Sequence, residues 1–193
     1  MRCMRSLVVA LLAACLAMPA AAQMNDGPVA SRGQAAAEDR LLAALKAAPD
    51  AEAATALEAR LQQLWLNAGT PAVGLLMSRA LHEAAGGDDK DALEDFDAAL
   101  DLDPQLAEAW HQKALVHAHM GENRAAIADI AQALRLEPRH FAALETLSRI
   151  AEAQGNWKGA YDAWQRVMQL DPKTPGGVDR LNELRRRAFG EET

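Results

Sequence analysis

Apolar residues recur at helical spacing along most of the chain, and turn-forming residues divide this pattern into segments. The stretches 35–47 and 51–68 each carry one apolar face, and Pro49 separates them. They predict a helical hairpin over 35–69. The preceding residues 23–34 are polar and contain glycine and proline, which predicts a flexible linker.

Beyond this hairpin the pattern repeats every 34 residues. The aligned positions are Asp103-Pro104, Glu137-Pro138 and Asp171-Pro172; Gly87, Gly121 and Gly155; Ala92, Ala126 and Ala160; Ala80, Ala114 and Ser148; Leu76, Trp110 and Leu144; Phe96, Ile130 and Trp164; Leu102, Leu136 and Leu170. Three copies that agree in seven columns indicate a repeat protein.

Each column has a physical role in a pair of helices. Proline ends one helix pair and starts the next, and glycine provides the left-handed turn between paired helices. The small residues allow two helices to cross closely, and the large column that contains Phe96 fills the space between neighbouring pairs. Since one pair cannot bury its apolar face alone, the copies are expected to stack into an all-α solenoid.

These columns resemble the tetratricopeptide repeat (TPR), with repeats over 73–106, 107–140 and 141–174. The resemblance implies a TPR-type right-handed α-solenoid whose concave face is built by the first helix of each pair. Two columns depart from the family pattern. The usual first-helix aromatic is replaced by Glu83, His117 and Ala151, and the usual first-helix leucine by Arg79, Lys113 and Leu147.

The C-terminal segment 175–193 is predicted to form a capping helix and a tail. Val178, Leu181 and Leu184 lie at helical spacing on one face, and polar residues occupy the other face. Such a helix would cover the apolar edge that the last repeat exposes. The hairpin over 35–69 is expected to cover the opposite end of the stack.

Partner-binding residues follow from the resemblance, because its groove positions are carried by the first helices. In this chain they include Met77, Leu81, His111, Leu115, His119, Glu145 and Arg149. A groove with apolar and charged positions suits an extended peptide or a helix with a few apolar anchors. The positions with which some relatives grip acidic C-terminal tails hold other residues here, among them Gln112 and Thr146.

The N-terminal residues 1–22 have the order of a secretory signal, with Arg2 and Arg5, an apolar run, and a small-residue cleavage site near Ala22. This order predicts a periplasmic or secreted protein. Cys15 follows a sequence that resembles a bacterial lipobox, so the alternative is a membrane-anchored lipoprotein, for instance a structural subunit of an outer-membrane assembly complex.

The remaining features point away from chemistry. The net charge of −7 disfavours nucleic-acid binding. The sequence lacks nucleophile, phosphate-loop and paired-cysteine motifs, and His117 and His119 point apart on a helix, so no catalytic residue, cofactor or metal site is expected. A scaffold of the cell envelope is therefore the leading function, with a hydrolase with a dispersed site as the remaining alternative. The partner's identity and the oligomeric state stay open.

Overall fold

The computed structural model describes residues 29–190, and within that range the chain forms nine helices and no strand. The helices are α1 Val29–Lys46, α2 Ala51–Leu66, α3 Pro71–Gly86, α4 Asp89–Leu102, α5 Ala107–His119, α6 Asn123–Leu136, α7 Phe141–Ala153, α8 Trp157–Leu170 and α9 Gly177–Phe189. The signal over 1–22, with Cys15, and residues 23–28 of the linker lie outside the described residues. Among the described helices none is long and apolar enough to cross a membrane.

The helix boundaries follow the turn signals of the sequence. Gly87, Gly121 and Gly155 have φ values of 85°, 77° and 71°, in the left-handed region that residues with a Cβ rarely adopt. Asp50 caps α2 by accepting a hydrogen bond from the Ala53 N–H at 2.8 Å. The predicted pairing of α3 with α4, α5 with α6 and α7 with α8 is confirmed.

The repeat columns form the core. Phe96 and Ile130 are fully buried and Trp164 is 6% exposed, so the large column fills the space between helix pairs as predicted. The small columns allow close crossing, and the Ser148 hydroxyl donates to the Ala160 carbonyl at 2.9 Å. All six residues of these two columns have no exposed surface: Ala80, Ala92, Ala114, Ala126, Ser148 and Ala160.

The two departing columns place polar side chains of the first two repeats beside buried carboxylates, where the family has apolar side chains. In the first repeat Arg79 donates to the buried carboxylate of Asp95. In the second, His117 Nε2 lies 3.6 Å from Asp129, which is also buried. In the third repeat the corresponding position on α7 is apolar, since it holds Leu147. The first two helix pairs therefore add polar contacts to their apolar packing, whereas the third has apolar side chains at these positions.

The first helices of the pairs form the inner face of the stack. α3 contacts α5 and α5 contacts α7, whereas α4, α6 and α8 contact mainly their neighbours in the chain. An array whose first helices approach one another more closely than its second helices is curved, with α3, α5 and α7 on the concave side.

The N-terminal hairpin does not cover the end of the stack, so the expectation that it would do so is wrong. α2 hardly touches α3, and instead α2 contacts α5 while α1 contacts α8. The apolar side of the hairpin packs on Phe141 and Leu170 of the later repeats. The indole ring of Trp65, on α2, stacks on His140 with 4.1 Å between ring centroids. The hairpin therefore folds back over the repeats because their inner surface offers an aromatic and apolar contact.

The predicted linker is shorter than the sequence suggested, because α1 already begins at Val29. Gly33 lies inside this helix, where glycine costs only about 1 kcal/mol relative to alanine and does not end it. The amide of Gln34 donates to the Leu64 carbonyl at 3.3 Å, which ties the start of α1 to α2.

The C-terminal helix covers the last repeat. α9 packs against α8, and Leu184 is 1% exposed within the apolar cluster of the third repeat. The Trp164 indole donates to the Gly177 carbonyl at 2.9 Å, which fixes the start of α9. Val178 was expected on the buried face but is 58% exposed, because the first turn of α9 directs it away from α8.

Candidate functional site

Four of the seven predicted groove residues line one pocket between α2, α5 and α7. The pocket has a volume of about 240 Å³. The four are His111, Leu115, Glu145 and Arg149. One wall is formed by Gln62 and Leu66 of α2, so the folded-back hairpin closes the groove on that side. The sequence predicted the residues from the repeats but not this wall.

Leu81 lines a separate pocket of about 480 Å³, between the end of α2 and α3. Met77 also borders it but is only 2% exposed, because its side chain packs in the core of the first repeat. The prediction that Met77 is an exposed anchor for a partner is therefore wrong.

His119 lies apart from both pockets. Its side chain is 70% exposed, and its Nδ1 is 3.0 Å from a carboxylate oxygen of Asp89. His119 lies in the last turn of α5, and its imidazole reaches Asp89 at the start of α4. It is placed to bridge the first two repeats.

The floor of the pocket between α2, α5 and α7 contains a buried group that the sequence analysis missed. Glu108, His111 and His140 are all buried, and one ligand atom from each lies within 4.8 Å of the others. Glu108 and His111 are three apart on α5 and so share a face, and the turn before α7 adds His140. The Glu-x-x-His spacing was visible in the sequence, but the third member, His140, lies 32 residues from Glu108, in the turn before α7.

Hydrogen-bond directions define which imidazole nitrogen carries the proton. The Thr146 hydroxyl donates to the Ala142 carbonyl at 3.0 Å, so it accepts from His111 Nε2 at 3.2 Å. His111 Nδ1 is then a bare lone pair. It has no hydrogen-bond partner, and it lies 3.8 Å from the carboxylate of Glu108.

His140 has the same tautomer for a different reason. Its Nδ1 accepts the Ala143 N–H at 3.3 Å, so its Nε2 carries the proton and donates to Glu108 at 2.9 Å. This hydrogen bond and the Trp65 stack hold His140 between the hairpin and the second repeat. The imidazole is therefore a neutral donor that faces the carboxylate.

The surroundings of each ionisable group in the pocket determine whether it carries a charge. Burial raises the pKa of Glu108, whereas the hydrogen bond from His140 acts in the opposite direction, and the pKa lies below its usual value. Burial lowers the pKa of His111, which keeps this ring neutral. Burial raises the pKa of Glu145, while the charge of Arg149 acts in the opposite direction. Glu108 is thus the group that holds a negative charge at the floor.

Two pairs of carboxyl groups join the folded-back hairpin to the repeats. Burial raises the pKa of Glu58, and its hydrogen bond to Asp171 and the charges of Asp171 and Glu145 raise it further, to about 8. Burial also raises the pKa of Glu38, which contacts Glu137 in the same way. A carboxyl group can donate a hydrogen bond to a carboxylate only while it keeps its proton. Both contacts therefore favour the protonated forms of Glu58 and Glu38.

This arrangement makes hairpin docking depend on pH. Glu58 has a folded pKa of about 8 against an ordinary value of 4.5, so the folded state binds the proton more tightly. Its contribution to stability is complete below the ordinary value and is lost as pH rises through about 8. We expect the free energy of unfolding to fall by up to about 1.4 kcal/mol per pH unit in this window from Glu58.

Denaturant unfolding of wild type and Glu58→Gln at several pH values checks this expectation. The glutamine amide still donates to Asp171 but does not titrate, so the variant should lose less stability between mildly acidic and mildly alkaline pH. Glu52→Gln is the matched control, since Glu52 is exposed on the same helix. Parallel pH profiles for wild type and Glu58→Gln would contradict the protonated contact.

Comparison with known proteins agrees with this architecture. The tetratricopeptide-repeat family model matches residues 107–140, which are α5, α6 and the turn before α7. Residues 107–140 form a tetratricopeptide repeat. A TPR repeat-containing protein of Rhizobium etli is 28% identical over 155 residues, which cover 80% of this chain and 76% of the relative.

Solved TPR structures share the fold at low sequence identity. The first TPR domain of RPAP3, bound to an HSP90 peptide, has a TM-score of 0.56 and 16% identity, and the match covers 60% of this chain and 92% of that domain. The Sgt2 TPR domain of Aspergillus fumigatus has a TM-score of 0.57 and 20% identity, covering 62% of this chain and 81% of that domain. The all-α TPR solenoid expected from the repeat columns is thereby confirmed.

Proposed function

We propose that this protein holds a protein or peptide partner in the groove beside α2 and performs no catalysis. The observation that carries the proposal is the pocket between α2, α5 and α7, where two consecutive repeats and the hairpin bring His111, Leu115, Glu145 and Arg149 together. The structurally similar RPAP3 domain is bound to a peptide, which supports the same use of the fold.

We place this activity in the cell envelope, on the basis of the signal-like residues 1–22. There the protein would scaffold a complex or hold a client chain. The alternative is a lipid-anchored subunit of an envelope assembly complex, with the anchor on Cys15. The first residue of the mature chain distinguishes them, since soluble export leaves Gln23 and lipidation leaves Cys15 at the N-terminus.

Partner capture from envelope extract tests the groove. Arg149 is exposed at the pocket and Leu115 is half-buried there, so Arg149→Glu and Leu115→Ala should each weaken capture. An interface anchor contributes about 1 kcal/mol or more, which corresponds to roughly a fivefold loss of affinity. Circular dichroism should show unchanged helicity for Arg149→Glu, because exposed changes alter stability by less than about 0.5 kcal/mol.

Glu94→Arg is the matched control, because Glu94 is exposed on the second helix of the first repeat and the change also reverses one charge. We expect this variant to capture the same partners as wild type. If Glu94→Arg lost the partners while Arg149→Glu and Leu115→Ala kept them, binding would belong to the outer, acidic side, and the groove proposal would be wrong.

A further inference from the structure

We propose that the pocket between α2, α5 and α7 is a subsite for a cationic side chain of the partner, a lysine ammonium or an arginine guanidinium, which donates to His111 and Glu108. The inference rests on the proposed function, because it names the chemistry that the groove recognises. A partner held in this way would carry a basic residue where it crosses the second and third repeats.

The first support is a buried carboxylate that has no cation beside it. Glu108 is 3% exposed and accepts hydrogen bonds from Gln112 Nε2 at 2.5 Å and His140 Nε2 at 2.9 Å. Both donors are neutral, since His140 uses Nδ1 as an acceptor for the Ala143 N–H. Buried charges in proteins are normally paired with an opposite charge, whereas within the part of the chain that the structure describes the ionisable groups beside Glu108 are the imidazoles of His111 and His140.

The second support is the unsatisfied lone pair on His111. Its Nδ1 is buried without a hydrogen-bond partner and lies 3.8 Å from Glu108 Oε1. Two acceptors that face each other repel, and leaving a buried acceptor unsatisfied costs about 1–3 kcal/mol. A donor placed between Nδ1 and the carboxylate would satisfy both atoms at once. An ammonium or a guanidinium group supplies several N–H donors and a positive charge.

A metal ion is the other cation that Glu108, His111 and His140 could bind, but the position of the proton on His140 disfavours it. Catalytic zinc sites use three protein ligands with free lone pairs. Here the only lone pair of His140 is engaged by the Ala143 N–H, and its Nε2 is protonated. Only His111 and Glu108 remain, and two ligands hold a metal weakly. A basic side chain needs nothing from His140, so it fits the group as it stands.

The shape of the pocket agrees with a single long side chain. Its volume of about 240 Å³ is smaller than the roughly 300–1,000 Å³ typical of sites for drug-sized ligands. Leu66, Leu115 and Ala142 line it and can contact the aliphatic part of a lysine or arginine. At the rim Arg149 donates to the Thr146 hydroxyl at 3.2 Å and acts electrostatically on Glu145.

Small cations test the subsite directly in the full chain. The probes are n-butylammonium and N-propylguanidinium chloride, and the readout is the imidazole ¹⁵N signals of His111 and His140. We expect a saturable shift of His111 Nδ1 with a Kd in the millimolar range, as suits ligands of so few atoms. Neutral 1-butanol and tetramethylammonium, which has no N–H donor, should shift this signal at least tenfold more weakly at equal concentration.

A variant series links the signal to the carboxylate. Glu108→Gln should weaken probe binding at least tenfold, while Glu94→Gln, on an exposed surface, should leave it unchanged. Should Glu108→Gln fail to fold, the comparison of the four probes on wild type still decides the question. Equal shifts with 1-butanol, or no shift with either donor cation, would overturn the subsite. So would Zn²⁺ binding at micromolar concentration that shifts both His111 Nδ1 and His140 Nε2.

The proposed function and the cation subsite can be contradicted independently of each other. If the donor cations do not bind but Arg149→Glu and Leu115→Ala still abolish capture, the groove binds a partner without this subsite. If both groove variants keep full capture, the proposed function is wrong, whatever the cations do.

Discussion

Replacing Trp65 with alanine should lower the free energy of unfolding by about 3–5 kcal/mol, the range measured when a buried large aromatic is removed. Trp65 is 6% exposed, stacks on His140 and packs against Phe141 at 5.4 Å between ring centroids. Its indole N–H also donates to Glu38 at 3.0 Å. The variant loses the aromatic contact and leaves an acceptor of α1 without its donor.

Urea unfolding measures the total loss, and hydrogen exchange localises it. Exchange in α1 and α2 should accelerate most, because they hold to the repeats mainly through this region, while α7 and α8 keep their own core. Leu75→Ala is the control, because Leu75 is 72% exposed and its loss should change stability by less than about 0.5 kcal/mol. A Trp65→Ala protein with wild-type stability and exchange would show that the hairpin does not depend on this stack.

The second large effect concerns two apolar residues of the same helix. Leu184→Ala should destabilise the protein by about 2–5 kcal/mol, because Leu184 is 1% exposed and its removal leaves a cavity between α9 and α8. Val178→Ala should change stability by less than about 0.5 kcal/mol, because Val178 is 58% exposed.

Thermal unfolding of the two variants measures this difference, and the exposed edge of the third repeat should make Leu184→Ala aggregate more readily. Since both changes remove an apolar side chain from one helix, helix propensity alone does not explain a large difference. Similar melting temperatures for the two variants would mean that α9 does not act as a cap.

The repeat architecture could be predicted because each repeat solves the same packing problem with the same residue types. Phe96, Ile130 and Trp164 differ chemically but fill equivalent spaces, so their common spacing identified the helix pairs. The turns between paired helices could be read from the sequence as well, because their left-handed backbone strongly favours glycine. Both features depend on interactions within a repeat or between adjacent repeats.

The position of the N-terminal hairpin could not be predicted for the opposite reason. Its apolar faces suit stacking on the end of the repeats as well as folding back over them, and the periodicity is the same in both cases. The contact of Trp65 with His140 joins residues far apart in sequence, outside any repeat column. The missed floor of the pocket has the same origin, since Glu108 meets His140 only after α5 and the turn before α7 have packed together.

The charged pairs within the first two repeats have a consequence for how such a chain can change by duplication and exchange of its units. Arg79 and Lys113 occupy one repeat position and Asp95 and Asp129 another, whereas the third repeat has Leu147 and Ala163 there. A chimaera that joined α7 to α6 would bury Asp129 against a leucine, with no cation to neutralise it. The helices of the third repeat are therefore not interchangeable with those of the first two.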